Sequence, residues 1–403
     1  MKILVVTQYF YPEQVRINDI CLELYKLGND VTVLTGRPNY PEGEYFSGYE
    51  NYKKYDTFNG IDVIRSNVRA RHKGIKNLIR NYYSFVKQCS KDIASINKKF
   101  DVVYVYGLSP ISIALPAIKY KKKYRVPIYY YCLDIWPESV RDSNNNVRKM
   151  SKLNPIYIFS LFLSKYVYKR MDFISTKCDD FCKYLSSVCR VPLDKMNVIP
   201  EYAEPIYLNV CNVSTPNDVI DFVFMGNIGK LQNCEMIIKA AYLIKDRTFM
   251  IHFIGDGSDL ERIKKMTQQM GLQEKIHFYG RIDIHDTISF YDLADVCLLT
   301  LDNKTNTGLT PPGKLYGYLA SGRPILGSIG GEAQKIIDEA KCGFCVLPND
   351  INAFADKMCY FIDHPNCIEQ FGKNSRTFFI EKYTLDKYIK KTISTLELVV
   401  KTH

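Results

Sequence analysis

The stretch Thr307–Gly331, TGLTPPGKLYGYLASGRPILGSIGG, decides how this chain is read. Its first part is a loop in which Gly308 and Gly313 relax the backbone while Pro311 and Pro312 stiffen it. Lys314–Ser321 then reads as a helix closed by Gly322, and Pro324-Ile-Leu-Gly starts a strand. A Gly/Pro loop entering a helix leaves backbone N–H groups pointing outward, where the helix dipole favours an anion. Lys314 adds a full positive charge at that mouth. Thr310, Pro311, Pro312, Gly313 and Lys314 therefore read as a pocket for a phosphorylated ligand, the alternative being an ordinary strand–loop–helix connection.

Upstream the same grammar repeats. A strand at Asp221–Met225 runs into Gly226-Asn-Ile-Gly-Lys-Leu-Gln and a helix reaching Ile244. A strand at Met250–Ile254 runs into Gly255-Asp-Gly-Ser and a helix at Leu260–Met270. A strand at Ile276–Tyr279 meets Gly280-Arg281, a helix follows at Ile288–Leu293, and a strand at Val296–Leu299 leads to the opening stretch. Strands that end in Gly-bearing loops before helices predict a parallel α/β sheet, and several such loops on one sheet edge favour a phosphate and nucleoside pocket. In it Gly226, Gly229, Gly255 and Gly257 would let the backbone approach a ligand, and Lys230 and Arg281 stand where charge is useful. The alternative for Lys230 is a surface lysine.

The N-terminal half has its own βαβ pattern. Lys2–Thr7 is a buried strand, Ile17, Ile20, Cys21, Leu24 and Leu27 recur at helical spacing, and Val31–Thr35 is the next strand. The first turn, QYFYPEQVRIN, lacks G-x-G-x-x-G. Arg16 and Asn18 sit where it meets the helix, either to touch a ligand or, for Asn18, to cap. Arg37–Tyr55 reads as a long binding loop or lid, and Ile61–Arg65 as a short strand. A basic helix is expected at Ile75–Ile96, and another at Ile111–Tyr124 between strands Asp101–Tyr106 and Ile128–Cys132. The second of those strands ends in Leu133-Asp-Ile-Trp-Pro-Glu. Ligands bind beyond strand ends, so Asp134 and Glu138 are candidates for acid/base work or for holding sugar hydroxyls, and Trp136 for stacking on a sugar ring. The alternative is a helix capped by Asp134, with Trp136 as core. Asn154–Val167 is a very apolar helix flanked by Arg148, Lys149, Lys152, Lys165, Lys169 and Arg170, suited to burial or to a membrane interface. Glu201–Asn217 reads as a linker, and Leu385–Val399 as a last helix.

A chain of 403 residues with 46% hydrophobic content predicts two domains. Thirteen scattered cysteines form no zinc pattern; reduced thiols, and an opening of Met1-Lys2 directly into a strand, give the expectation of a cytoplasmic protein. The net charge is +11, and fifteen Lys/Arg lie between Arg65 and Arg125 against Asp92 and Asp101 alone, so that segment carries +13. Such a region suits an anionic membrane surface, a nucleic acid or a polyphosphate-linked substrate, or is a solvated basic face. No recognised nucleic-acid-binding motif occurs in it. No Asp-x-Asp and no P-loop occurs in the chain.

Taken together, KILVVTQYFYPE…RINDI, VTVLTGRPNYPEGEYFSGY, DIWPESV, FVFMGNIGKLQ, FIGDGSDL, PPGKLYGYLASGRPIL and GGEAQKIIDEAKCGFCV resemble glycosyltransferase family 4 over nearly the whole chain. Within it they look most like the fucosamine-transferase-like (WbuB-type) subgroup acting in bacterial capsule and O-antigen assembly. The resemblance implies the GT-B fold: two Rossmann-like domains with parallel sheets facing an interdomain cleft. The expected parts are an acceptor-binding domain at 1–205, a nucleotide-sugar-binding domain at 206–383, and a C-terminal helix at 384–403 returning to the first domain. It implies a retaining, metal-independent transfer with no cofactor besides the nucleotide sugar. An N-acetylated amino or deoxy sugar would pass from a nucleoside diphosphate, UDP, to a polyprenyl-diphosphate-linked glycan. The enzyme would work on the cytoplasmic face of the membrane, held to its anionic surface, with no nucleic acid involved.

Carried onto this sequence, the family's phosphate loop matches GNIGKLQ, its Arg and Lys falling on Asn227 and Gln232, with Lys230 between them to take the charge role. The family's two Glu, eight residues apart, fall on Leu309 and Gly317, so both carboxylates are missing. Glu332 is then the candidate for the ribose. The family's His after the Asp101 strand is replaced by Tyr106, an acceptor-side candidate. Lys230 and Lys314 are left to stabilise charge on the leaving group. The alternatives are a GT-B nucleotide-sugar epimerase and a catalytically silent nucleotide-sugar-binding subunit.

Overall fold

The computed structural model describes residues 1–142, 151–211, 219–302 and 309–403. Arg148, Lys149, residues 212–217 of the expected linker, and Thr307 and Gly308 of the opening stretch lie outside the described residues. The chain forms two compact units, Met1–Ile199 with Ile389–His403, and Pro200–Tyr388.

The first unit is an eight-stranded sheet in the order β3-β4-β2-β1-β5-β6-β7-β8. Its strands are β1 (Lys2–Val6), β2 (Asp30–Gly36), β3 (Tyr55–Phe58), β4 (Ile61–Ser66), β5 (Val102–Gly107), β6 (Ile128–Cys132), β7 (Phe173–Thr176) and β8 (Met196–Val198). Its helices are α1 (Ile17–Lys26), α2 (Ile75–Ser95), α3 (Leu115–Tyr124), α4 (Glu138–Asp142), α5 (Pro155–Tyr168) and α6 (Asp179–Cys189). β1 lies between β2 and β5, in register Val5↔Val33 and Val5↔Tyr104, which is why its residues past Lys2 are apolar on both faces. The edge strand β3 runs antiparallel to β4, with alternating exposure. It was not legible beside the Tyr-rich loop that precedes it. That loop is pinned rather than loose: Arg37 Nε donates to the Tyr49 carbonyl at 2.6 Å, and its guanidinium lies 3.3 Å from the Tyr45 ring centre. The expected helix at 111–124 splits into a 3-10 turn at Ile111–Ala114 and α3, with Pro116 in the first turn of α3, where its missing N–H costs nothing.

The basic segment does not form one solvated face. Arg65 is buried and pairs with Asp56 at 2.7 Å; Lys98 pairs with Asp30 at 2.7 Å and Lys121 with Asp172 at 2.5 Å. Lys119 and Lys123 reach from α3 to the carbonyls of Ser90 and Ala94, in the last turns of α2, where cations offset the helix dipole.

The second unit is an all-parallel, six-stranded sheet in the order β11-β10-β9-β12-β13-β14. Its strands are β9 (Ile220–Met225), β10 (Phe249–Ile254), β11 (Ile276–Gly280), β12 (Val296–Thr300), β13 (Ile325–Ser328) and β14 (Gly343–Val346). Its helices are α7 (Cys234–Leu243), α8 (Leu260–Gln269), α9 (Thr287–Leu293), α10 (Gly313–Ala320), α11 (Glu332–Ala340), α12 (Ile351–Asp363) and α13 (Cys367–Lys382). Strand alternation splits the core: Phe222 and Phe224 pack with Ile237, Ile263 and Phe354, while Val223 and Met225 pack with Tyr291, Leu319 and Ile336. The last helix, α14 (Leu385–Lys401), has most of its length in the first unit, where Asn197 Nδ2 donates to Thr395 Oγ1 at 2.9 Å.

In both sheets the chain order reverses beside the first strand, between β1 and β5 and between β9 and β12. Ligands of doubly wound sheets bind at the C-terminal ends of the strands at such a point.

Candidate functional site

At the β9/β12 reversal the two strands pair only at Phe222↔Val296 and Val223↔Cys297, and no pairing follows beyond. The Tyr318 hydroxyl, carried in from α10, sits between the strands there. It accepts the Met225 N–H at 2.9 Å and lies 3.3 Å from the carbonyls of Met225 and Leu298. Tyr318 thus bolts α10 to the strand ends and fixes Lys314, one helical turn earlier.

The loops at these ends are laced together. Gly226 N–H donates to the Ile254 carbonyl, Ile228 N–H to Asp256, Gly255 N–H to Gly280, and Asp302 N–H to Leu231, at 2.7–2.9 Å. Two glycines are needed for this. Gly255 has φ +140, and a Cβ there would lie 1.9 Å from the Gly226 carbonyl oxygen. Gly226 has φ +125, and a Cβ there would meet Lys314 Cε and Nζ at 3.2 Å. The bare Gly226 backbone makes the space that Lys314 occupies.

Lys314 is in the first turn of α10, whose preceding residue, Pro312, is extended. Its ammonium is shielded from solvent and has no hydrogen-bond partner among the described residues. It lies 3.6 Å from the centre of the Phe224 ring, whose face attracts a cation. Burial disfavours the charged form and holds its pKa down to about 8. At neutral pH this is a largely dehydrated, uncompensated cation at a helix N-terminus, and native proteins seldom leave such a group unpaired without a use. An anion arriving at it would supply the missing partner.

Among the other donor-side candidates, Lys230 is exposed on a 3-10 turn, Lys230–Gln232, and Arg281 is exposed after β11. Asn227 Nδ2 donates to Gln232 Oε1 at 3.0 Å, so these two brace one loop over Gly229, where a Cβ would meet both side chains at 2.9 Å. Thr310 is half-buried, Pro311 is buried, Gly257 is packed on the Ile228 carbonyl, and Gly313 opens α10. Glu332 opens α11 and pairs with Lys335 at 3.2 Å. Gly317 explains one missing carboxylate: a Cβ there would lie 2.8 Å from the Tyr291 hydroxyl, which fills the place from the opposite side.

In the first unit the structure separates the candidates. Asp134 does not cap a helix, since α4 begins at Glu138; it accepts from Ser109 N–H at 3.0 Å and Ser109 Oγ at 2.6 Å. Trp136 is half-buried rather than core, and its Nε1 donates to the same Ser109 Oγ at 3.1 Å. Glu138 is corrected: it is buried and accepts from the hydroxyls of Tyr157 and Tyr184, both at 2.8 Å, so it ties α4 to α5 and α6 instead of meeting a substrate. Tyr106 is corrected likewise, being buried and stacked on Tyr131 with centroids 5.9 Å apart. Asn18 does not cap α1: its side chain accepts from Tyr11 N–H and donates to the Glu13 carbonyl, and Arg16 occupies the cap position.

Residues that sequence reasoning missed gather near Asp134. Tyr9 and Tyr40 stack at 4.6 Å; Arg71 lies 5.5 Å from the Tyr40 ring centre and 3.5 Å from the Tyr9 hydroxyl. Tyr82 lies within electrostatic reach of both Arg71 and Asp134. Beneath them Glu13 is buried and accepts the N–H groups of Phe10, Asn39 and Tyr40 at 2.8–2.9 Å. Desolvation outweighs those bonds and raises its pKa to about 7. The only signal in the sequence was a Tyr-rich loop.

Comparison with known proteins bears on these two strand-end sites. Residues 14–201 match the family described as Glycosyltransferase Family 4, and residues 212–378 match Glycosyl transferases group 1. A probable glycosyltransferase of Pseudomonas aeruginosa, WbjE, is 34% identical over 143 residues, 34% of this chain and 35% of that one. The chain spans only about a third of the length of the first curated relatives it matches, at 35%, 34% and 39%. Among solved structures, a sucrose-phosphate synthase of Thermosynechococcus elongatus superposes with a TM-score of 0.78 at 13% identity, covering 100% of both chains. Anabaena HepE in complex with UDP superposes with a TM-score of 0.68 at 12% identity, covering 98% of this chain and 100% of that one. These structures share the GT-B fold of two Rossmann-like domains seen here, and the two halves of the chain match, in turn, the two glycosyltransferase family models.

Proposed function

We propose that this protein is a retaining glycosyltransferase whose second unit holds a nucleoside diphosphate sugar at the β9/β12 reversal. The observation that carries this reading is the buried Lys314 ammonium at the mouth of α10, backed by Gly226 and without a hydrogen-bond partner among the described residues. A diphosphate oxygen beside it would complete its hydrogen bonding, and exposed Lys230 would meet the outer phosphate oxygens as a point charge. The donor is UDP-linked in this reading, the sugar an N-acetylated amino or deoxy sugar, and the acceptor a polyprenyl-diphosphate-linked glycan of capsule or O-antigen assembly.

In the reaction the bond from the anomeric carbon to the diphosphate oxygen breaks. A new bond forms to the acceptor hydroxyl oxygen, and that hydroxyl's proton leaves on the departing diphosphate. Charge grows on the leaving oxygen, so a preorganised, dehydrated cation stabilises the transition state more than the ground state. In this reading Lys314 takes that task, and the transfer needs no metal ion. In the first unit Asp134, oriented by Ser109 and within electrostatic reach of Tyr82, serves to hold acceptor hydroxyls, with Trp136 beside it.

Thermal melting against UDP, GDP, ADP and UDP-linked amino sugars tests the donor site. Ligand at about 100 times its dissociation constant adds roughly 2.7 kcal/mol. A shift with one nucleotide that disappears in Lys314→Ala supports the reading, and no shift with any of them counts against it. A second reading, a nucleotide-sugar-binding subunit without turnover, is favoured by the hydrophobic and glycine residues at Leu309 and Gly317. It predicts the same melting shift with neither transfer nor hydrolysis of the sugar nucleotide.

A further inference from the structure

The outer face of α5 is chemically inside out. The helix turns Tyr157, Ser160, Ser164, Val167 and Tyr168 inward. Outward go Ile156, Phe159 and Phe162, with Phe159 66% and Phe162 69% exposed, and Leu153 just ahead of the helix is 82% exposed. A helix whose outer side meets only water shows the reverse arrangement. Contiguous large apolar side chains on a surface mark a place where something docks.

Charge says what docks. Residues 151–170 contain Lys152, Lys165, Lys169 and Arg170 and no Asp or Glu. Phe162, Lys165, Tyr166, Lys169 and Arg170 line a groove of about 550 Å³. In it the Arg170 guanidinium lies 3.5 Å from the Tyr166 ring centre. The groove therefore joins an apolar row to a cationic end, as an anionic amphiphile requires. A second copy of α5 would bring the same cations to the contact, which disfavours self-pairing. The helix has 14 residues, and no described helix is long and apolar enough to cross a bilayer, which leaves the geometry of a helix lying along one. α2 packs on the same 3-10 turn, Ile111–Ala114, and exposes Ile79 and Tyr83 in the basic segment.

We infer that α5 is an interfacial helix that seats on an anionic phospholipid surface. Ile156, Phe159 and Phe162 enter the acyl boundary, and Lys165, Lys169 and Arg170 take lipid phosphates in the groove. The inference stands on the first unit alone and does not depend on the donor site.

The test is flotation of the full chain with vesicles of phosphatidylcholine and phosphatidylglycerol, compared with phosphatidylcholine alone. The wild type floats with the anionic vesicles, and less so at high salt. The pair Phe159→Ser and Phe162→Ser lowers that partition by at least about tenfold, since two aromatic side chains no longer leave water. The pair Lys165→Gln and Lys169→Gln weakens binding at low salt and flattens the salt dependence. Lys314→Met floats like the wild type, which separates this inference from the donor reading. Should the Ser pair fail to fold, Phe159→Trp serves instead, its added emission shifting to the blue with anionic vesicles. Equal flotation of the Ser pair, absence of flotation by the wild type, or a Trp emission that ignores lipid would overturn the inference. So would a wild-type dimer that the Ser pair makes monomeric.

Discussion

Lys314→Met should make the ligand-free protein more stable and the nucleotide complex weaker. Methionine keeps the unbranched stem and removes the ammonium. Burial lowers the Lys314 pKa from 10.5 to about 8, which corresponds to about 3 kcal/mol of cost in the folded state at neutral pH. The contact with the Phe224 face offsets roughly 1–2 kcal/mol of that, so the net gain on substitution is about 1–2 kcal/mol. For a unit the size of Pro200–Tyr388 this raises the melting temperature by roughly 2–8 °C. The sign also shows in pH. Between about 8 and 10.5 the unfolded chain holds a proton that the folded chain has lost, so wild-type stability rises with pH over that window and the variant's does not. Losing one charge-assisted contact to a diphosphate costs about 1.5–3 kcal/mol, a roughly 10- to 100-fold weaker dissociation constant for UDP. Scanning calorimetry and a UDP titration measure both quantities. A variant that melts lower than the wild type and binds UDP equally well would refute the reasoning, because it would make Lys314 a packing residue.

Other expectations follow from the same contacts. Gly226→Ala puts a Cβ 3.2 Å from Lys314 Nζ at φ +125, so it should lower stability by about 1–3 kcal/mol and weaken UDP binding, read by melting with and without UDP. Glu13 is an acid whose folded pKa is raised from 4.5 to about 7; between those values the folded chain holds the extra proton, so stability falls as pH rises through that window. Denaturant titrations along pH should show that fall in the wild type and a flatter profile in Glu13→Gln. Asp134→Asn keeps the shape against Ser109 but removes the charge near Tyr82, so transfer rate should drop at least about tenfold while UDP affinity stays unchanged. A parallel loss of UDP affinity would place Asp134 in the donor site.

Two parallel sheets were readable because buried parallel strands carry continuous apolar runs, such as 3–6 and 222–225, that end in Gly or polar loops. Lys314 was readable as a charge at a helix mouth, yet its burial over Phe224 was not, since that contact joins residues 90 positions apart. Long-range pairing also explains the misread residues. Glu138 looked catalytic beside Asp134 until Tyr157 and Tyr184 closed over it, and Tyr106 was claimed by Tyr131 on the neighbouring strand. Glu13, Arg71 and Tyr82 meet from separate segments with no shared spacing, and no periodicity announces such a cluster. The apolar run of α5 was visible in composition, but only the fold shows that its serines point in and its phenylalanines out.

The central claim is that Lys314 is the buried cation that receives the donor diphosphate. Calorimetric titration of UDP at pH 8, in buffers of different ionisation enthalpy, tests it most directly. With a free-enzyme pKa of about 8, half of the protein starts with a neutral amine, so UDP binding should take up about half a proton at that pH, where UDP itself is fully ionised. Lys314→Met should abolish the uptake. Binding with no proton uptake at pH 8, or uptake that survives in the Met variant, would contradict the account.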